Sequence, residues 1–418
     1  MKATYRLFLA LAVLTIPATV RAVKVPIPIE GASLNISFQL QTQALFNQHG
    51  TPDGQNPSFD IFVRRSRVLI NGDISQNWSY LVQLDNPNFG KNGVFTGRAL
   101  VQDAWIGWAP LGISGPNVVY VDAGILLLPI SRHLLTSTTN FTTADTHSDA
   151  FRGIFSGPGA FRDTGVQVRG WALDRKIGFR GGVYEGVRGT PGPFNPITNP
   201  NGGLAPNSWP RFAGFVNVDV IGSEEGSWLY GVNHWGTEPI VSVGGSGVYQ
   251  TKSVRGPNGL TDAMTWSMDV YADYPVNGPE SEATLEATGY RSVNGSGSSF
   301  TGWGFFVDIG FRYRFIEPYG SYEYFAADSC PTDGNPPLAL CTAPNAAFPA
   351  RGADSRNWRA GLNFFFNKNL NHLNIEYEAS HGQSIYGQNS IVPAVPGSTT
   401  SLAAKYSKSL LLHWNVLF

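Results

Sequence analysis

The chain has 418 residues, of which 14% are charged and 13% aromatic, with a formal net charge of −1. Soluble domains carry about 25% charged and about 45–50% apolar residues, so this chain, at 42% hydrophobic, is short of charge without being greasy. Its aromatics argue against disorder and its balanced charge against nucleic-acid binding. The one apolar run near spanning length is N-terminal, which argues against a helical membrane protein.

That N-terminal run reads as an export signal. Lys2 and Arg6 precede the apolar stretch Leu7 to Ile16, Pro17 breaks it, and Val20-Arg21-Ala22 offers small residues around a cleavage point. The expected organisation is a signal peptide over 1–22 and a single domain over 23–418. Losing Lys2, Arg6 and Arg21 leaves 26 basic against 30 acidic side chains, so the mature net charge is −4 and any preference for anions must be local.

From there period-two alternation dominates. Leu34, Ile36, Phe38 and Leu40 alternate with Asn35, Ser37, Gln39 and Gln41; Trp78, Tyr80, Val82 and Leu84 alternate with Ser79, Gln83 and Asp85. The longest case runs Trp303, Phe305, Val307, Ile309, Phe311, Tyr313, Phe315, with Asp308, Arg312 and Arg314 on the other parity. Each such strand has one apolar and one polar face. A soluble sandwich hides its apolar faces in a core, whereas a membrane barrel turns them to lipid and keeps the polar faces wet. A face carrying Asp308, Arg312 and Arg314 must be wet.

The final strand alternates Leu410, Leu412, Trp414, Val416 and Phe418 up to the last residue, as outer-membrane barrels do. About 17 strand-like segments predict an all-β transmembrane antiparallel barrel of about 16 strands, with 18 as the alternative. Short links such as Asp73–Asn77 and Asp174–Lys176 contrast with surface loops over 47–58, 86–97, 189–208, 253–260 and 328–354. The connection from Leu127 to Ala160 lacks alternation and is long enough to need a role. It is expected to fold into the pore, the alternative being a cover over the barrel mouth. Cys330 and Cys341 flank a Pro- and Ala-rich loop; in an exported chain they predict a disulfide worth roughly 2–3 kcal/mol, the alternative being two free thiols.

Several stretches resemble the phosphate-selective porin O and P family of Gram-negative outer membranes: Phe62-Val63-Arg64-Arg65-Ser66-Arg67 followed by Gly72 and Trp78, Gln102-Asp103-Ala104-Trp105-Ile106, Arg162-Asp163-Thr164-Gly165-Val166-Gln167, and Gly178 to Gly186. The resemblance implies a 16-stranded homotrimeric porin with a loop-narrowed pore passing anions or small polar solutes. The family's pore combines an arginine ladder with a lysine cluster; this chain has 21 Arg but 8 Lys, so the implication of phosphate specificity is weak.

Selectivity in such pores comes from radius and charged rings. Strand parity puts Arg65, Arg67, Arg169, Arg180, Arg312, Arg314 and Arg359 in the lumen, with Asp85, Asp103, Asp269, Asp308, Glu323, Glu376 and Glu378. Arg keeps its charge and presents a planar fork to oxyanions. The competing role is to pair with those carboxylates and brace the wall. Arg64 falls on the outward parity, at a membrane interface. Arg132, Asp145, Asp149, Arg152 and Arg162 are the candidates for a constriction. The seven His show no metal-ligand spacing such as H-E-x-x-H, Gly244-Gly245-Ser246-Gly247 lacks the Lys-Ser/Thr of a phosphate loop, and no G-x-S-x-G occurs, so no enzyme, metal or cofactor is expected. The reading is a Gram-negative outer-membrane porin for passive diffusion of small hydrophilic solutes, preferring anions. Its partners are the bilayer with lipopolysaccharide and two further copies of itself. The alternatives are a substrate-specific channel for phosphate, organic acids or sugars, a non-conducting surface or adhesin barrel, and a soluble secreted sandwich.

Overall fold

The computed structural model describes residues 23–51, 56–95, 99–112, 118–147, 150–151, 161–187, 209–224, 228–256, 259–294, 301–328, 354–382 and 406–418. The signal peptide expected over 1–22, the candidates Asp149 and Arg152, and both cysteines lie outside these residues.

The alternating segments form β1 (Val23–Val25), β2 (Leu34–Asn47), β3 (Ser58–Ser75), β4 (Trp78–Asp85), β5 (Leu100–Trp108), β6 (Val118–Leu127), β7 (Arg162–Ala172), β8 (Ile177–Tyr184) and β9 (Arg211–Ile221). They continue as β10 (Ile240–Gly256), β11 (Gly259–Pro275), β12 (Ser281–Asn294), β13 (Gly302–Tyr313), β14 (Ile316–Ala327), β15 (Ser355–Asn367), β16 (Asn371–Gly382) and β17 (Tyr406–Leu417). Each strand from β2 to β17 pairs antiparallel with its chain neighbours, and β17 pairs back onto β2, closing a barrel of 16 strands. The strand count therefore settles on 16, not 18. Within the stretch 253–260, expected as a surface loop, residues 253–256 and 259–260 instead continue β10 and β11 as paired strands.

The three-residue β1 is an extra strand. It pairs with Leu34–Ile36 of β2, just beyond the span Gln39–Asn47 that β17 covers. At the seam, Phe418 and Phe38 exchange backbone hydrogen bonds of 2.8 and 3.2 Å and stack their rings at 5.9 Å. The terminal aromatic thus closes the barrel.

The polarity of the two faces is inverted relative to a soluble protein. On β13, Ile309 is 56% exposed on the outside while neighbouring Asp308 is 2% exposed inside. Ile61, Met268 and Trp358 repeat the outward pattern and Gln41, Glu286 and Asn374 the inward one. An outward apolar face and an inward polar face exclude the sandwich, whose core would be apolar. One end of the barrel collects the tight links. The link after β7 takes left-handed φ at Leu173, Asp174 and Arg175, and the link after β13 does so at Arg314. The opposite end carries the long loops, including the connection from β6 to β7.

Candidate functional site: the lumen and its two inserts

That connection enters the lumen and crosses it. Ile130 accepts from Ser267 Oγ at 2.9 Å on β11, and Thr138 O accepts from Gln41 Nε2 at 3.0 Å on β2. Further along, the Ala144 amide donates to Glu376 at 3.0 Å and the Ala150 amide to Glu323 at 2.8 Å. Opposite Ala150, β13 carries Gly304, where a Cβ would stand 1.7 Å from the Ala150 carbonyl oxygen; only glycine lets the insert seat there. His147 is fully buried, stacks on Phe306 at 4.1 Å, and donates Nε2–H to Asp308 at 2.8 Å. Arg359 reaches its Nδ1 at 2.6 Å, so that nitrogen accepts.

A second segment enters from the tight-link end: the connection between β9 and β10. Its Trp235 amide donates to Glu282 at 3.1 Å, and the guanidinium of Arg312 lies 3.9 Å from the Trp235 ring centre. The two inserts meet mid-lumen. Tyr230 N–H donates to Leu135 O at 2.9 Å and Ser137 N–H to Tyr230 O at 3.2 Å, a short parallel bridge. Arg132 locks the junction. Its Nε sits 3.0 Å from both Glu224 oxygens, Nη1 donates to Glu286 at 3.1 Å, and the guanidinium lies 3.5 Å from the Tyr271 ring centre. Burial opposes its charge, but Glu224 and then Glu286 outweigh it and hold Arg132 above its ordinary value.

The inserts leave a cavity of about 1200 Å³, lined mainly by β2–β7 and also by Arg359, Glu376 and Glu378 of β15 and β16. It reaches from Arg64 and Asn88 at the long-loop end to Asp73 and Tyr80 at the tight-link end. Its wall is an arginine stripe. Arg64 donates Nε to Asp145 Oδ2 at 2.6 Å and Arg65 donates Nη2 to Asp145 Oδ1 at 2.8 Å. Arg67 donates to Asp85 at 3.0 Å and Arg162 to Asp103 at 3.2 Å. Burial alone would push the Asp145 carboxyl up; Arg64 and Arg65 outweigh it and hold it well below the ordinary carboxylate range.

Arg64 faces this cavity because of a bulge. Gln41 pairs with Arg65 and Thr42 with Val63, leaving Arg64 the extra residue on β3. The bulge breaks the two-residue period and aims two successive arginines at one carboxylate. Parity alone places Arg64 outside, so this corrects the sequence expectation.

Arg65, Arg67, Arg162, Arg359 and Asp145 line the cavity. Arg359 is held by Glu323 at 2.9 Å and Glu378 at 3.3 Å. Arg169 points inward, bound to Asp122 at 2.7 Å and lying 4.0 Å from the Tyr120 ring centre. Arg180 is buried against the Trp228 carbonyl and ring. Arg312 is buried at the tight-link end on Glu282. Arg132 lies in the junction and not on the water path. Arg314 is not in the lumen: strand β13 ends at Tyr313, and Arg314 sits in the turn, its side chain 60% exposed beside Glu280. The second insert was not anticipated. Its signal was a run over 222–239 without alternation, at the end where links are otherwise short.

Solved structures share this architecture. Over 92% of this chain and 94% of that one, OprB of Pseudomonas putida superposes with a TM-score of 0.57 at 10% identity. The anion-selective porin of Comamonas acidovorans gives 0.55 at 12% identity over 93% of this chain and all of that one. The outer-membrane channel DcaP of Acinetobacter baumannii gives 0.54 at 12% over 96% of this chain and 100% of its own. The fold is that of the outer-membrane porins. No protein-family model and no curated protein matches the sequence, so the likeness to the phosphate-selective family rests on the quoted motifs alone.

Proposed function

We propose that the chain is an outer-membrane porin of a Gram-negative cell that passes small hydrophilic solutes by diffusion and prefers anions. The reading extends to a homotrimer in the bilayer. The carrying observation is what the cavity wall shows to water. Arg64 and Arg162 side chains are 21% and 16% exposed, against 13% for Asp145, which both Arg64 and Arg65 hold, and 4% and 3% for Asp85 and Asp103. Solutes therefore meet guanidinium edges more than carboxylates, and charged rings at a constriction set selectivity. The porin architecture supports the reading, and one porin of this fold is named anion-selective.

The test is the reversal potential of single channels in a KCl gradient. Chloride preference is expected, falling several-fold in the double variant Arg65→Gln, Arg67→Gln. Cation preference in the parent chain would overturn the anion reading, and a sealed barrel would overturn the porin.

A further inference from the structure

The cavity's second wall is not polar. Beside Arg162, on the face turned to the same water path, lie Phe161, Trp105, Trp228, Leu229 and Leu134. Trp105 and Trp228 stack at 4.5 Å with 28° between their planes, although one comes from β5 and the other from the second insert. Arg169 backs this pair, its guanidinium 4.6 Å from the Trp228 ring centre. Phe161 and both tryptophans are only partly buried. Phe161 also holds a left-handed φ of 67°, which a bulky L residue adopts only at a cost. Phe161, Trp105 and Trp228 pack on buried residues such as Leu126 and Phe151, and their partly buried remainder borders the water path.

A hydrated inorganic ion gains nothing from such a shelf, because the rings offer no replacement for its water. A solute with an anionic head and a flat apolar body gains twice: its head meets the partly exposed Arg162 guanidinium while its body lies against the part of the rings that borders the cavity. The geometry points to a subsite for amphipathic organic anions, aromatic carboxylates first, on the shelf formed by Trp105, Trp228 and Phe161. This inference rests on the channel reading above and names its solute class.

The experiment uses the full chain in planar bilayers, with benzoate or acetate added to one side in symmetric KCl. Benzoate should reduce the chloride current saturably at lower concentration than acetate. Trp228→Ala should shrink that discrimination roughly two- to ten-fold, the loss of one aromatic contact, while Trp228→Phe should retain most of it. Equal block by the two acids, or discrimination indifferent to Trp228→Ala, overturns the subsite and leaves the porin standing. Absence of any KCl conductance overturns the porin itself, and the subsite with it.

Discussion

The two halves of the lumen are built by the same rule and end differently. Along β2–β7 the inward polar residues border a cavity of about 1200 Å³. Along β11–β14 the same kind of residue is held by the inserts: Asp269 and Glu286 by Arg132, Asp308 by His147 and Glu323 by the Ala150 amide. The difference comes from the inserts. Their backbone amides and side chains satisfy carboxylates on one side of the barrel, as at Ala144, Ala150 and Trp235. A buried carboxylate is tolerable only with such partners; along β2–β7 the first insert touches the wall at Thr138 and Asp145 and leaves the cavity beside them. Alternation makes an inward face polar; it does not make it a pore.

Removing the lock should do the most to break this contrast. Arg132→Ala strands Glu224 and Glu286 in a sealed region, and breaking one partner of a buried ion pair costs about 3–5 kcal/mol. The expected outcome is a large drop in the temperature at which the barrel loses its heat-modifiable migration in SDS gels. Replacing residues 228–235 by a short turn should come next. It removes the second insert's half of the junction, so single-channel conductance should rise while the barrel still forms. Unchanged conductance would show that the first insert seals that half alone.

A smaller effect, of predictable sign, concerns pH. The Asp145 carboxyl lies well below its ordinary value because of Arg64 and Arg65. A depressed carboxyl contributes its stabilisation above the unfolded value of about 3.9 and loses it only as pH falls through the lower folded value. The extra stability of the parent chain over Asp145→Asn, read as the heat-modification temperature, should therefore be unchanged from pH 7 down to about 4.5. A gap that narrows in that interval would show Asp145 titrating as an ordinary acid. The smallest effect belongs to Arg314→Ala. Its exposed pair with Glu280, 60% and 53% exposed, lies outside the lumen. Stability should change by less than about 0.5 kcal/mol, with reversal potential and conductance as in the parent chain.

The motifs reached some parts of the site and not others. Arg65 and Arg67 were legible from strand parity, and Arg162 from its place at the end of the long connection without alternation. Arg64 was not, because a one-residue bulge is invisible to a pattern that assumes a constant period. Arg314 was misplaced for the opposite reason: the pattern ran past the point where the strand turns. Trp228 had no signal beyond its place in a stretch without alternation.

What the sequence by itself determined is the barrel and its polar inside. Both follow from one local rule, side chains alternating between lipid and water, together with a chain long enough for 16 strands. What only the tertiary structure decided is where the water path runs. That depends on contacts between residues far apart in the chain, such as Arg132 with Glu224 and Trp105 with Trp228. No local period encodes them, because they exist only once the strands have closed and the two inserts meet inside.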